Sequence, residues 1–163
     1  AFYYHPFLGD YNILSVDYGP LAECFPYYGV AVANIKKVGP YVGQLLGFMA
    51  ENLQLSANNV HLVGWSLGGQ LVAFIGQEMN GTLSRITSLD PAGLYFLVPG
   101  ALYNEQKKVE RQRPKKTLFG LLKGFLFHTA PPDEKLTPDD AMFVDVIHTA
   151  GLWLGTDEPV SLA

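Results

Sequence analysis

Residues 60–79 limit this chain more than any other stretch. An apolar run, Val60 to Val63, leads into Gly64-Trp65-Ser66-Leu67-Gly68. Beyond it, Leu71, Phe74, Ile75 and Met79 recur at helical spacing. A short buried strand must therefore turn into a helix with no room for a loop, and a serine stands at the apex. The glycines at 64 and 68 leave space for so cramped a turn and for close packing of strand on helix. The helix start behind Ser66 supplies free N–H groups and positive partial charge where an alkoxide or oxyanion would form.

A strand, a sharp turn bearing serine and a helix make up the nucleophile elbow of an α/β-hydrolase. The competing reading is a Gly-rich β-to-α turn with an ordinary hydroxyl. The rest of the chain alternates in the same way. Tyr11–Tyr18 reads as a strand closed by the Gly19-Pro20 turn. Ile35, Val38, Val42, Leu45, Leu46, Met49 and Leu53 mark one face of a helix, which Gly39-Pro40 should kink or split. Val60–Trp65, Arg85–Asp90 and Phe143–Thr149 read as further strands. Strands separated by helical stretches predict a mostly parallel sheet, flanked by helices and buried on both faces. The fold class is α/β, a partial α/β-hydrolase fold.

Composition excludes little but agrees. At 163 residues the length fits one domain or part of a larger one. Hydrophobic content of 48% suits a sheet covered on both faces. A net charge of −4 gives no reason to expect nucleic acid as a partner. No apolar run approaches the ~20 residues of a membrane-spanning helix. Cys24, the single cysteine, cannot form an internal disulfide. Ala1 to His5 show no signal-peptide pattern. Asn80-Gly81-Thr82 reads either as a glycosylation acceptor or as a left-handed helix cap.

Asp90 closes the strand after the serine helix. In this architecture catalytic groups sit on loops at the carboxyl ends of strands. A carboxylate there can fix a histidine tautomer and stabilise the imidazolium formed when Ser66 loses its proton. The order serine then aspartate fits the hydrolase order Ser…Asp…His. Alternatively, Asp90-Pro91 simply starts a turn.

Three blocks carry a resemblance: Asp10–Tyr18, Val60–Gly69, and Arg85-Ile86-Thr87-Ser88-Leu89-Asp90-Pro91-Ala92. Asp140–Thr149 adds a fourth, and Gly155–Val160 extends it. In this order they resemble the pancreatic-type (neutral) lipase family of animals, including its insect members. The resemblance implies an incomplete lipase domain over residues 1–163. It implies ester hydrolysis on triglycerides or phospholipids, usually outside the cell, with lipid at an interface as the partner and no cofactor. Ser66 matches the family nucleophile and Asp90 the triad acid, and the Leu67 N–H matches half of the oxyanion hole. The alternative is a catalytically silent lipid-binding or storage protein on the same fold.

The departures are informative. The resemblance implies that the catalytic histidine lies beyond Ala163 and that the second oxyanion motif lies before Tyr11. Among the chain's own histidines, His5 and His61 precede Ser66 and Asp90, and His128 lies in an unmatched segment. His148, on the fourth predicted strand, has the right chain order and lies in a matched segment, and the family alignment reads it as a structural strand residue. Trp65 stands where relatives commonly carry histidine. Of the family's calcium-binding places only Asp140 clearly matches, with Thr137 and Lys135 in others, and a hard cation needs several oxygens. No metal is predicted. Residues 97–128 read as an insertion, because the connection from Asp90 to Asp140 exceeds that of relatives. Lys107, Lys108, Arg111, Arg113, Lys115 and Lys116 precede the apolar stretch Leu118–Phe127. That pattern fits a lipid-surface element, a flexible insertion, or sequence absent from the mature protein.

Overall fold

Three short segments, each with at least one β-branched residue, form the sheet in a computed structural model of the chain, which describes residues 11–23, 28–93, 96 and 135–149. They are β1 (His61–Trp65), β2 (Arg85–Leu89) and β3 (Val144–Ile147). All pair in parallel, in chain order, with Trp65 opposite Leu89 and Leu89 opposite Ile147. The helices are α1 (Gly19–Ala22), α2 (Tyr28–Asn52) and α3 (Leu67–Glu78), the last connecting β1 to β2. Short 3-10 turns at Ala57–Asn59 and Pro138–Asp140 lead into β1 and β3.

α3 lies between the sheet and α2, and for that reason it is buried all round from Gly69 to Gly76. A helix apolar on every side belongs in such a middle layer. Ile86, Ala73 and Ile35 mark the core through the three layers, each at most 1% exposed. The α2 contact is made through glycine. A Cβ on Gly39 would stand 2.3 Å from Phe74 Cβ, and one on Gly43 would stand 2.5 Å from Glu78 Cγ.

Three expectations are corrected here. α2 runs unbroken through Pro40, so Gly39-Pro40 does not split it, and α3 packs closely on either side of the proline, at Gly39 and Gly43. Its buried line is Ile35, Gly39, Gly43 and Leu46, while Leu45 and Leu53 are exposed. Val38 and Val42 pack partly buried against the core, and with Leu45, Tyr18 and Leu21 they also border an open, largely apolar cleft of about 450 Å³.

Residues 11–18 have no regular secondary structure, although Tyr11–Tyr18 has a strand-like pattern. Ile13, Leu14 and Val16 all stand exposed there. A strand exists through its ladder partner, and β1, at the edge of the sheet, takes none on that side among the described residues. Tyr18 alone turns inward onto the core.

Burial on both faces of the sheet is the third. Among the described residues the helices cover one face, and on the other Val63, Trp65 and Ile147 are exposed. The reason is that α2 stacks behind α3 rather than across the sheet. Residues 97–128, read from sequence as an insertion, lie outside the described residues.

Candidate active site

The site grows from the junction of β1 and α3. Ser66 adopts φ 52°, ψ −118°, a region that L-residues occupy only when their surroundings impose it. The imposing contacts are backbone ones. Ser66 N–H donates to Leu89 O at 2.9 Å. Ser66 O accepts from Gly69 N–H at 2.9 Å and from Ala92 N–H at 3.0 Å. The strained serine is thus tied to its own helix, to the end of β2 and to the turn after it.

Glycine is required here at two places. A Cβ on Gly64 would sit 2.1 Å from Gly68 O, and one on Gly69 would sit 2.4 Å from Ser88 Oγ. Gly68, assigned from sequence to the same need, is less constrained among the described residues, with Tyr18 Oη 3.8 Å from a Cβ there. Leu67 and Gly68 open α3, so their N–H groups lack acceptors inside the helix.

Because Trp65 pairs with Leu89 in parallel register, Ser66 and Asp90 leave neighbouring strands at the same level. Adjacent strands lie about 4.8 Å apart. Asp90 also has a positive φ, 42°, and its N–H donates to Ile147 O at 2.8 Å. Its carboxylate accepts from the Thr149 backbone N–H and the Thr149 hydroxyl. Buried Gln70 braces the turn beyond: its Nε2 donates to Ala92 O at 2.8 Å, and its Oε1 accepts from Leu136 N–H at 3.0 Å.

Sequence reasoning missed the roles of both Thr149 and Gln70. A polar residue inside the apolar run Leu67–Ile75 was the signal for Gln70. For Thr149 it was a hydroxyl ending a strand parallel to the one that delivers Asp90.

Neither ring nitrogen of His148 is exposed, and among the described residues neither has a hydrogen-bond partner. The residue follows β3, and its ring bonds neither Asp90 nor Ser66. His61 lies at the opposite end of β1, with its Nε2 2.8 Å from Thr87 Oγ1. Partial burial, then the positive charge of Arg85, lower its pKa below the ordinary value. His5 and His128 lie outside the described residues.

Asp140 is spent structurally. Its Oδ2 accepts the Thr137 N–H at 2.7 Å, and burial, first, raises its pKa above the ordinary carboxylate range. Among the described residues no cluster of three or more His, Cys, Asp or Glu could hold a metal ion. Asn80 takes the left-handed cap position after α3, φ 54°. Its N–H donates to Gln77 O and the Gly81 N–H to Gly76 O, each at 2.9 Å, the paired bonds of a Schellman motif.

The parallel sheet, the α3 layer and a strained serine at the strand-to-helix turn define a partial α/β-hydrolase fold. The chain belongs to the pancreatic-type lipase family. The family model described as Lipase matches residues 8–106. Hepatic triacylglycerol lipase of Rattus norvegicus is 34% identical over 157 residues, covering 92% of this chain and 25% of the relative. Lipoprotein lipase of Neovison vison is 33% identical, covering 93% of this chain and 26% of the relative. Pancreatic triacylglycerol lipase of Oryctolagus cuniculus is 34% identical over 122 residues, 75% of this chain and 20% of that protein. The chain spans about a quarter of the length of the first two of these relatives.

Proposed function

We propose that the protein to which these residues belong is a carboxylic ester hydrolase acting on lipids, triacylglycerol first, with Ser66 as nucleophile and Asp90 as triad acid. The observation that carries this is the backbone of Ser66, held at φ 52°, ψ −118° beside the Asp90 turn. Names of relatives that contain triacylglycerol lipase support the substrate class.

In the reaction, Ser66 Oγ attacks the ester carbonyl and its proton passes to a histidine supplied from outside residues 1–163. The tetrahedral oxyanion is met by the Leu67 N–H at the start of α3. Collapse expels the alcohol, which leaves with the proton held by the histidine. Water, deprotonated by the same histidine, then releases the fatty acid from Ser66. Asp90 orients the imidazole and stabilises its charged form. The reading includes action outside the cell, where a glycan on exposed Asn80 is compatible with its cap geometry.

The test uses the full-length protein on emulsified triacylglycerol and on phospholipid vesicles, with Ser66→Ala and His148→Leu beside it. Hydrolysis is expected to be lost with Ser66→Ala and retained with His148→Leu. Loss with both would place the base inside this segment. A folded full-length protein inert on every ester would establish the silent lipid-binding alternative in its place.

A further inference from the structure

Thr149 stands directly beyond β3, where the end of that strand meets the carboxylate of Asp90. Its backbone N–H donates to Asp90 Oδ1 and its hydroxyl to Oδ2. One residue thus holds both oxygens. The strand register prepares this meeting, since Leu89 faces Ile147 and the Asp90 N–H bonds Ile147 O at 2.8 Å. Left alone, the terminal torsion of an aspartate is broad and roughly two-fold. Two donors from a single neighbour fix its plane. An ionised carboxylate has about four lone-pair sites, so the two bonds from Thr149 do not by themselves exhaust it. Neighbouring His148 has no part in this, because neither of its ring nitrogens has a partner among the described residues.

We propose that Thr149 is a positioning residue for the reaction, setting the plane of the Asp90 carboxylate so that it can receive the catalytic histidine. This rests on the Ser66–Asp90 reading above. Thr149 touches no substrate and acts through Asp90 alone. Its backbone N–H contributes whatever the side chain is, whereas its hydroxyl can be removed.

The experiment measures kcat and KM of the full-length protein on a soluble short-chain ester, per folded molecule, for Thr149→Val, Thr149→Ala and Thr149→Ser. Val and Ala are expected to lower kcat about tenfold at unchanged KM, because a hydrogen bond to a charged group is lost. Ser, which keeps the hydroxyl, is expected within about twofold of the parent protein. If Val fails to fold, Ala decides. In an Asp90→Asn background, Thr149→Val should cause no further loss, whereas a merely structural defect would add to it. The proposal is overturned if Val and Ala keep full kcat, if Ser loses as much as Val, or if the losses add. Full activity of Ser66→Ala and Asp90→Asn would instead remove the underlying triad reading, an outcome visible whatever Thr149 does.

Discussion

Gly64 and Ser66 solve one problem from two sides: the first removes a side chain from the turn, the second accepts a backbone conformation that side chains resist. Gly64→Ala would drive a Cβ to 2.1 Å from Gly68 O, an atom that cannot swing away. It should destabilise the fold by about 1–3 kcal/mol or more. Gly68→Ala meets only Tyr18 Oη at 3.8 Å among the described residues and should be nearly neutral. Denaturant midpoints of the two variants in the full-length protein check this, and equal losses would contradict it. Ser66 and Asp90 were legible as candidates because serine between glycines after an apolar run, and Asp-Pro ending the next run, are local patterns. Thr149 was not, because its contact with Asp90 joins positions distant in sequence and depends on strand register. The ring of His148, without a hydrogen-bond partner among the described residues, was equally hidden, since burial and hydrogen bonding are tertiary facts.

α2 shows how an element can be read correctly and the residues of its closest contact overlooked. Helical spacing gave the helix, the buried Ile35 and Leu46, and the core-packed Val38 and Val42, but it drew attention away from Gly39 and Gly43, which make the closest approach to α3. Gly39→Ala should cost about 1–3 kcal/mol, through a Cβ 2.3 Å from Phe74 Cβ. A Cβ on Gly47 would meet nothing within 4 Å among the described residues, and alanine there should gain up to about 1 kcal/mol. A shift of both unfolding midpoints in one direction would contradict that account of the helix pair. On the open face of the sheet, Asp145 accepts two bonds from Arg85 at 2.9 Å and one from Thr87 at 2.7 Å. The Arg85 bonds, first, hold its carboxyl below the ordinary range. An acid so depressed stabilises the fold above the unfolded value, about 3.9, and loses that contribution as pH falls through the folded one. The stability gap between the parent protein and Asp145→Asn should therefore be small but open at neutral pH, and should close below about pH 3.9. A gap constant with pH would remove the pair from the account of stability.

On the scale of the molecule, three parallel strands, a buried middle helix and a second helix behind it form a partial α/β-hydrolase fold among the described residues. The parallel sheet and the strand-to-helix turn at Ser66 followed from the alternation of apolar runs and helical periods. The layering did not, because which face a helix covers depends on neighbours that periodicity does not name. Tyr11–Tyr18 shows the same limit, with a strand-like composition but no ladder partner. Covalent labelling shows whether this architecture makes Ser66 an activated nucleophile. The full-length protein is treated with a fluorophosphonate ester and the adduct is located by mass spectrometry, beside Ser66→Ala and Asp90→Asn. The account predicts one phosphonyl group per molecule, on Ser66, none on Ser66→Ala, and labelling slowed at least about 100-fold in Asp90→Asn. Ester hydrolysis by a protein whose Ser66 stays unlabelled, or labelling that persists in Ser66→Ala, would contradict it.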